Sequence, residues 1–160
     1  MNKRKVYLDT SIISYLKAED TMNETLLLWN NFMSEDNYII YISQLTIEEI
    51  SKCSEPKKSY MLDMLSKINY IKLGTTEEVY KLRNEYLKHK VLSERNKADL
   101  LHIAFAVTNN IEYIISWNFK HFVNINTIKR INVTNILLNY MTVNIVTPQM
   151  ITGGVDDEKK

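Results

Sequence analysis

Hydrophobic positions in this chain gather into short unbroken runs, and longer stretches with helical spacing separate them. The runs are Val6-Tyr7-Leu8, Tyr38 to Ile42, Tyr113 to Ser116 and Ile145-Val146, and a further strand closed by Gly74 is expected over Tyr70 to Leu73. Apolar runs without polar alternation suit strands buried on both faces. The stretches between them predict helices. Thr10 and Ser11 cap a short one that runs to about Lys17, and another follows Asp20 with Met22, Leu26, Trp29 and Met33 on one stripe. A helix start follows Ser43, where Thr46 and Glu49 have capping-box spacing, and Pro56 restarts a helix carrying Met61, Met64, Leu65 and Ile68. Thr75 and Glu78 form a capping box that opens a helix to about Lys88. Two further helices are predicted over 93–109 and about 127–141. Strands and helices alternate throughout. The fold expected is three-layer α/β with a mostly parallel central sheet of about four to five strands.

Composition narrows the class. The 160 residues are 45% hydrophobic and 24% charged, as in an ordinary globular protein, and suit one domain over 1–152 with a polar tail at 153–160. A net charge of +1 gives no global attraction to nucleic acid or to an anionic membrane, so any basic surface must be local. The single cysteine, Cys53, rules out an internal disulfide and suits a reducing cytoplasm. No apolar run approaches the length of a membrane span, and the basic start Met1 to Lys5 has no apolar core behind it. The three glycines form neither GxGxxG nor GxxxxGK, which argues against a Gly-rich phosphate cradle.

Candidate chemistry sits at strand ends. In an open parallel sheet the residues just after each strand collect on one edge, where ligands bind. Asp9 follows the first strand, Glu49 lies early in the helix after the second, and Asp99 opens the helix before the fourth. Asn118 follows the fourth strand and adds an amide oxygen. Hard oxygen donors of this kind suit Mg²⁺ or Mn²⁺, which keep several waters and bridge to substrate phosphates.

Each residue also has a local explanation. Asp9 and Asn118 could cap helices, Glu49 could belong to a capping box with Thr46, and Asp99 could simply suit the helix dipole. Gathered at one edge, they make a shared site the better reading. His102, one turn after Asp99 in an apolar helix, reads as a hydrogen-bonded core residue. Trp117, Phe119, His121 and Phe122 could stack on bases, although aromatics beside a buried strand more often pack inside. Lys120, His121, Lys129 and Arg130 are weak candidates for RNA phosphate contacts, as are Lys88 and Lys90.

Four segments in order carry a resemblance. They are Val6-Tyr7-Leu8-Asp9-Thr10-Ser11; Ser43, Thr46, Glu49 and Ile50; Ala98-Asp99-Leu100-Leu101-His102-Ile103-Ala104; and Ile115-Ser116-Trp117-Asn118 through Phe122. In that order they resemble the PIN-domain family, which includes the VapC-type toxins of bacterial toxin–antitoxin modules. The segment Asn144 to Pro148 resembles the last strand of many members. The resemblance implies a Mg²⁺- or Mn²⁺-dependent endoribonuclease in which metal-activated water attacks a phosphodiester. Asp9, Glu49 and Asp99 would match the family's acids, with Asn118 at a fourth position and Ser11 and Ser116 at supporting hydroxyl positions. RNA would be the substrate, an antitoxin protein a partner, and a homodimer the expected assembly.

Two departures matter. Asn118 stands where members often have Asp, and Ala98 where many have a second acid. Both weaken a second metal site and favour one tightly held metal, with another arriving with substrate. The alternative is a catalytically weakened PIN domain that only binds RNA or protein. A phospho-accepting receiver domain fails on its own residues, because no acid pair follows the first strand and Gly74 and Thr75 follow the third.

Overall fold

The computed structural model describes residues 3–17, 22–34, 37–118 and 121–152. Asp20, Phe119, Lys120, the tail 153–160 and the side chain of Met22 lie outside the described residues. Five strands alternate with helices: β1 (Arg4–Leu8), β2 (Tyr38–Ser43), β3 (Ile71–Leu73), β4 (Tyr113–Ile115) and β5 (Asn144–Val146). The helices are α1 (Thr10–Ser14), α2 (Met22–Ser34), α3 (Gln44–Ser51), α4 (Lys57–Ser66), α5 (Glu77–Lys88), α6 (Lys97–Thr108) and α7 (Ile125–Leu137). The sheet runs β3-β2-β1-β4-β5 and every pairing is parallel. The expected α/β fold with a parallel sheet is therefore the observed one.

The apolar run of β1 has the cause inferred for it, whereas the edge strand β3 is exposed at Ile71 and Lys72. Val6 and Leu8 of β1 face one core, with Ile12, Leu28, Trp29, Met61, Met64 and Ile115. Tyr7 faces a second core on the opposite side, with Leu82, Tyr86, Leu100, Phe105, Ile114 and Ile131. Alternate residues of one strand thus fill two separate layers. Met61 and Met64 are buried in the first core.

Strand order reverses at β1, since β2 and β3 lie on one side of it and β4 and β5 on the other. Two backbone bonds extend the pairing past the strand ends: Asp9 N donates to Ile115 O at 3.1 Å, and Ser116 N to Val146 O at 2.9 Å. The carboxyl ends of β1 and β4 therefore open side by side at the switch point of the sheet. That is where α/β folds place their ligands.

Several helix boundaries differ from the sequence reading. In α2 the buried residues are Thr25, Leu28, Trp29 and Phe32, with Leu26 partly buried against the same core, whereas Met33 is 44% exposed, so the stripe is rotated from the one expected. The Trp29 indole donates to Met64 O at 3.1 Å and fixes that rotation. Asp9, not Thr10 or Ser11, is the residue preceding α1, and a 3-10 turn over Tyr15–Lys17 finishes it. The capping box of α3 pairs Ser43 with Thr46 rather than Thr46 with Glu49, which frees Glu49 for other partners. Thr76, not Thr75, caps α5 and accepts from Val79 N at 3.2 Å. The helix expected over 93–109 is a 3-10 turn (Glu94–Asn96) followed by α6, so Asp99 falls in the first turn of α6.

Helix ends here use few glycines. Lys90, Asn110 and Asn139 each adopt a left-handed backbone, with φ of 56°, 57° and 63°. After them, Val91 N bonds Tyr86 O, Ile111 N bonds Ala106 O and Tyr140 N bonds Asn135 O, at 3.0, 3.0 and 2.8 Å. These are Schellman closures, and they end α7 before the expected Met141. Asn tolerates that backbone, but lysine carries a Cβ penalty there. Lys90→Gly is expected to raise stability by about 1 kcal/mol, read from the urea unfolding midpoint. An unchanged or lower midpoint would contradict it.

Candidate active site

Asp9 sits where β1 hands over to α1, and its carboxylate is almost fully buried at 6% exposure. It forms no side-chain cap on its own helix. Instead Oδ2 accepts from Ser11 Oγ at 2.7 Å and from Ser116 Oγ at 2.8 Å. Ser11 Oγ also accepts from Trp117 N at 3.0 Å, and Ser116 Oγ from Asn118 N at 2.9 Å. Two small hydroxyls thereby lock the exit of β4 to the start of α1 and leave Asp9 one orientation.

Glu49 and His102 meet beside it. His102 Nε2 lies 2.5 Å from Glu49 Oε1, and Thr10 Oγ1 donates to the same oxygen at 2.7 Å. His102 Nε2 is also 3.7 Å from Asp9 Oδ1. Burial alone would raise the Glu49 pKa, but the hydrogen bond and charge of His102, with the Thr10 bond, bring it below its ordinary 4.5. Burial likewise disfavours charged His102, yet the bond to Glu49 and the charges of Asp9, Glu49 and Asp99 carry its pKa above the ordinary 6.5. A lowered carboxyl contributes stability above 4.5 that is lost as pH falls through its folded value. A raised histidine contributes stability below 6.5 that is lost as pH rises through its folded value. Urea midpoints should therefore show this pair's contribution at its largest between 4.5 and 6.5. The decline on the alkaline side should disappear in His102→Gln; an identical pH profile in that variant would contradict the assignment.

Asp99 is the third acid of the group. It is half-buried in the first turn of α6, and its pKa is raised by burial and then by the negative charge of Asp9, with Glu49 adding to it. His102 and His121 oppose that rise without cancelling it. Like charges that act on one another favour a cation between them or a proton on one of them. The edge of the sheet thus holds Asp9, Glu49 and Asp99 around His102, with Ser11 and Ser116 behind Asp9.

The fold has a solved counterpart. The chain is similar to the structure of VapBC2 from Rickettsia felis bound to a DNA fragment from its promoter. The TM-score is 0.55 and the identity 24%, over 89% of this chain and 98% of that one. This likeness establishes the fold. No family model matches the chain, and no curated protein matches it.

The remaining candidates are distributed differently. Asn118 Oδ1 accepts from His121 N at 3.0 Å, so its amide oxygen closes the turn after β4. His121 reaches the start of α6, with Nε2 3.2 Å from Asn96 Nδ2, and its charge acts on Asp99. Lys129 and Arg130 are exposed on α7, and Arg130 reaches the carbonyl of Lys90 at 3.5 Å, beyond the end of α5. They belong to a basic surface with His89 and Lys90 rather than to the acid cluster. Lys120 lies outside the described residues. Trp117 is a core residue, with its indole donating to Thr25 Oγ1 at 2.8 Å.

His102 is the hydrogen-bonded core residue that the sequence suggested, but its link to the acids, and any part for Tyr7 and Thr10, were missed. His102 carried the one available signal, a titratable ring one turn from Asp99 on a helix otherwise packed with apolar side chains. Among the described residues no three His, Cys, Asp or Glu side chains are grouped as a ready metal cage. The pair Asp9 and Asp99 nonetheless fits Mg²⁺, which is held by one or two carboxylates and completed by water and substrate phosphate. His102 and Thr10 both engage Oε1 of Glu49, so Oε2 is the oxygen left for such a site.

Proposed function

We propose that this chain is a PIN-type endoribonuclease that hydrolyses RNA phosphodiester bonds with Mg²⁺ or Mn²⁺. The observation that carries this reading is the buried Asp9 carboxylate at the switch point of the sheet. It is held by Ser11 and Ser116 rather than spent on a helix cap, and its charge raises the pKa of Asp99. Asp9 and Asp99 would hold the metal, with Glu49 contributing through Oε2. When bound, the ion supplies a water of lowered pKa and neutralises charge developing on the phosphoryl oxygens.

The chain's own groups do the rest. Ser11 and Ser116 orient Asp9. Glu49, kept ionised, accepts a hydrogen bond from water at the site. His121 offers a donor to a substrate phosphate beside Asp99, while Asn118 holds the turn that carries it. The exposed Lys129 and Arg130 would meet RNA backbone farther along.

A toxin role with an antitoxin partner fits the sequence resemblance, and the structural neighbour is itself a protein complex bound to DNA. Leu27, Met33 and Leu62 are exposed apolar side chains, as are Val133, Ile136 and Leu137 on α7. They offer surface for such a partner or for a homodimer. No helix among the described residues is long and apolar enough to cross a membrane, and a cytoplasmic site of action belongs to the same proposal.

Purified protein should cut a mixed RNA pool only with Mg²⁺ or Mn²⁺. Because water rather than the 2′-hydroxyl attacks, the products should carry no 2′,3′-cyclic phosphate. Cyclic ends, or equal cutting in chelator, would overturn the reading. RNA that is bound but never cut would favour a binding module.

A further inference from the structure

Behind Glu49 runs a chain of buried polar groups that the proposed chemistry does not use. Tyr7, Ser43 and His102 are 0%, 0% and 1% exposed. Tyr7 Oη lies 2.7 Å from Ser43 Oγ and 2.6 Å from His102 Nδ1. The tyrosine and imidazole rings also meet edge to face, with centroids 5.7 Å apart. His102 Nε2 then reaches Glu49 Oε1. The chain crosses from the end of β2 through β1 and α6 to α3, and finishes at an acid of the site.

Core stability does not account for it. Phe at position 7 and Leu at 102 would fill comparable space with no polar atom to satisfy, whereas each buried polar group costs free energy unless every partner is in place. What the polar chain supplies is direction. Glu49 is only partly buried, with 35% of its side chain exposed, and a glutamate left free there would sample many rotamers. His102 cannot turn to follow it, because Tyr7 holds the opposite ring nitrogen and Ser43 holds Tyr7.

We propose that His102, fixed by Tyr7 and Ser43, is a positioning residue that presents the Glu49 carboxylate to a divalent cation at Asp9 and Asp99. This rests on the metal-dependent reading above. Hydrogen-bond partners behind a ligand typically contribute about 10- to 100-fold in metal affinity or activity.

The test is Mn²⁺ affinity of the folded full chain without RNA, measured by calorimetry for wild type, His102→Leu, His102→Gln and Tyr7→Phe. His102→Leu should lose about 10- to 100-fold in affinity. His102→Gln, whose amide can still donate to Glu49, should recover most of that loss. Tyr7→Phe should fall between wild type and His102→Leu, and it carries the test alone if the leucine variant does not fold. With RNA, kcat should drop in His102→Leu while KM stays near wild type. Wild-type affinity in both His102→Leu and Tyr7→Phe, or a glutamine variant no better than leucine, would overturn the positioning role while leaving the nuclease reading intact. A wild-type protein that bound no Mn²⁺ would overturn the metal site itself, and this proposal with it.

Discussion

Asp99→Asn is expected to lose cleavage and gain stability at once. Asparagine keeps the shape of the side chain but removes the charge that would hold the metal, so RNA cleavage should fall by at least about a hundredfold. The stability change has the opposite sign. The folded-state pKa of Asp99 lies above its ordinary 3.8, from burial and then repulsion by Asp9. A carboxyl raised in this way binds its proton more tightly in the native state, so stability falls as pH climbs past 3.8 and the acid ionises. At neutral pH the native protein holds an unfavourable charge, and the neutral amide relieves it. Thermal midpoints in chelator should therefore be higher for Asp99→Asn than for wild type. A variant that unfolds earlier and still cuts RNA would contradict both halves.

Trp117→Ala is expected to be the most damaging of the structural substitutions. Trp117 is 4% exposed, packs in the core with Val6, Leu8 and Ile12, and donates its indole N–H to Thr25. Truncation of a buried tryptophan costs about 3–5 kcal/mol, and a chain of this length loses about 2–4 °C per kcal/mol. Cleavage should fall as well, because Trp117 lies between Ser116 and Asn118 and its backbone N–H is bound by Ser11. A surface for stacking RNA bases would behave otherwise: RNA binding would weaken and the melting temperature would hardly move. Thermal denaturation of Trp117→Ala and Trp117→Phe separates the cases, with Phe retaining most of the packing and losing the Thr25 bond.

The layers were legible because burial on both faces leaves a plain mark. Val6-Tyr7-Leu8 has no polar alternation, and each of its side chains is fully buried in one core or the other. Helix ends were harder, since the sequence signal for a left-handed closure is glycine and this chain uses Lys90, Asn110 and Asn139 instead. Of the α2 stripe, Trp29 and Leu26 meet the core and Met33 does not, because Leu26, Leu27 and Leu28 are consecutive and only tertiary packing of Trp29 against α4 selects the buried face.

At the candidate site, Asp9 could be placed at the sheet edge by its position after β1, whereas Ser11 and Ser116 entered only through the family resemblance. Partners that depend on side-chain direction could not be placed by position. Nothing in the spacing told that Glu49 would turn toward His102, or that Asn118 would spend its amide oxygen on His121. The weak phosphate candidates separated for the same reason: His121 meets Asn96 at the start of α6, whereas Lys129 and Arg130 sit with the end of α5.

The most direct test of the acid site compares wild type with Asp9→Asn on a mixed RNA pool, in Mn²⁺, in Mg²⁺ and in chelator. Wild type should cut with metal and stop in chelator, and Asp9→Asn should be inactive under every condition while keeping its circular dichroism spectrum. Equal cutting by both proteins, or cutting that survives chelation, would contradict a metal-dependent site built on Asp9.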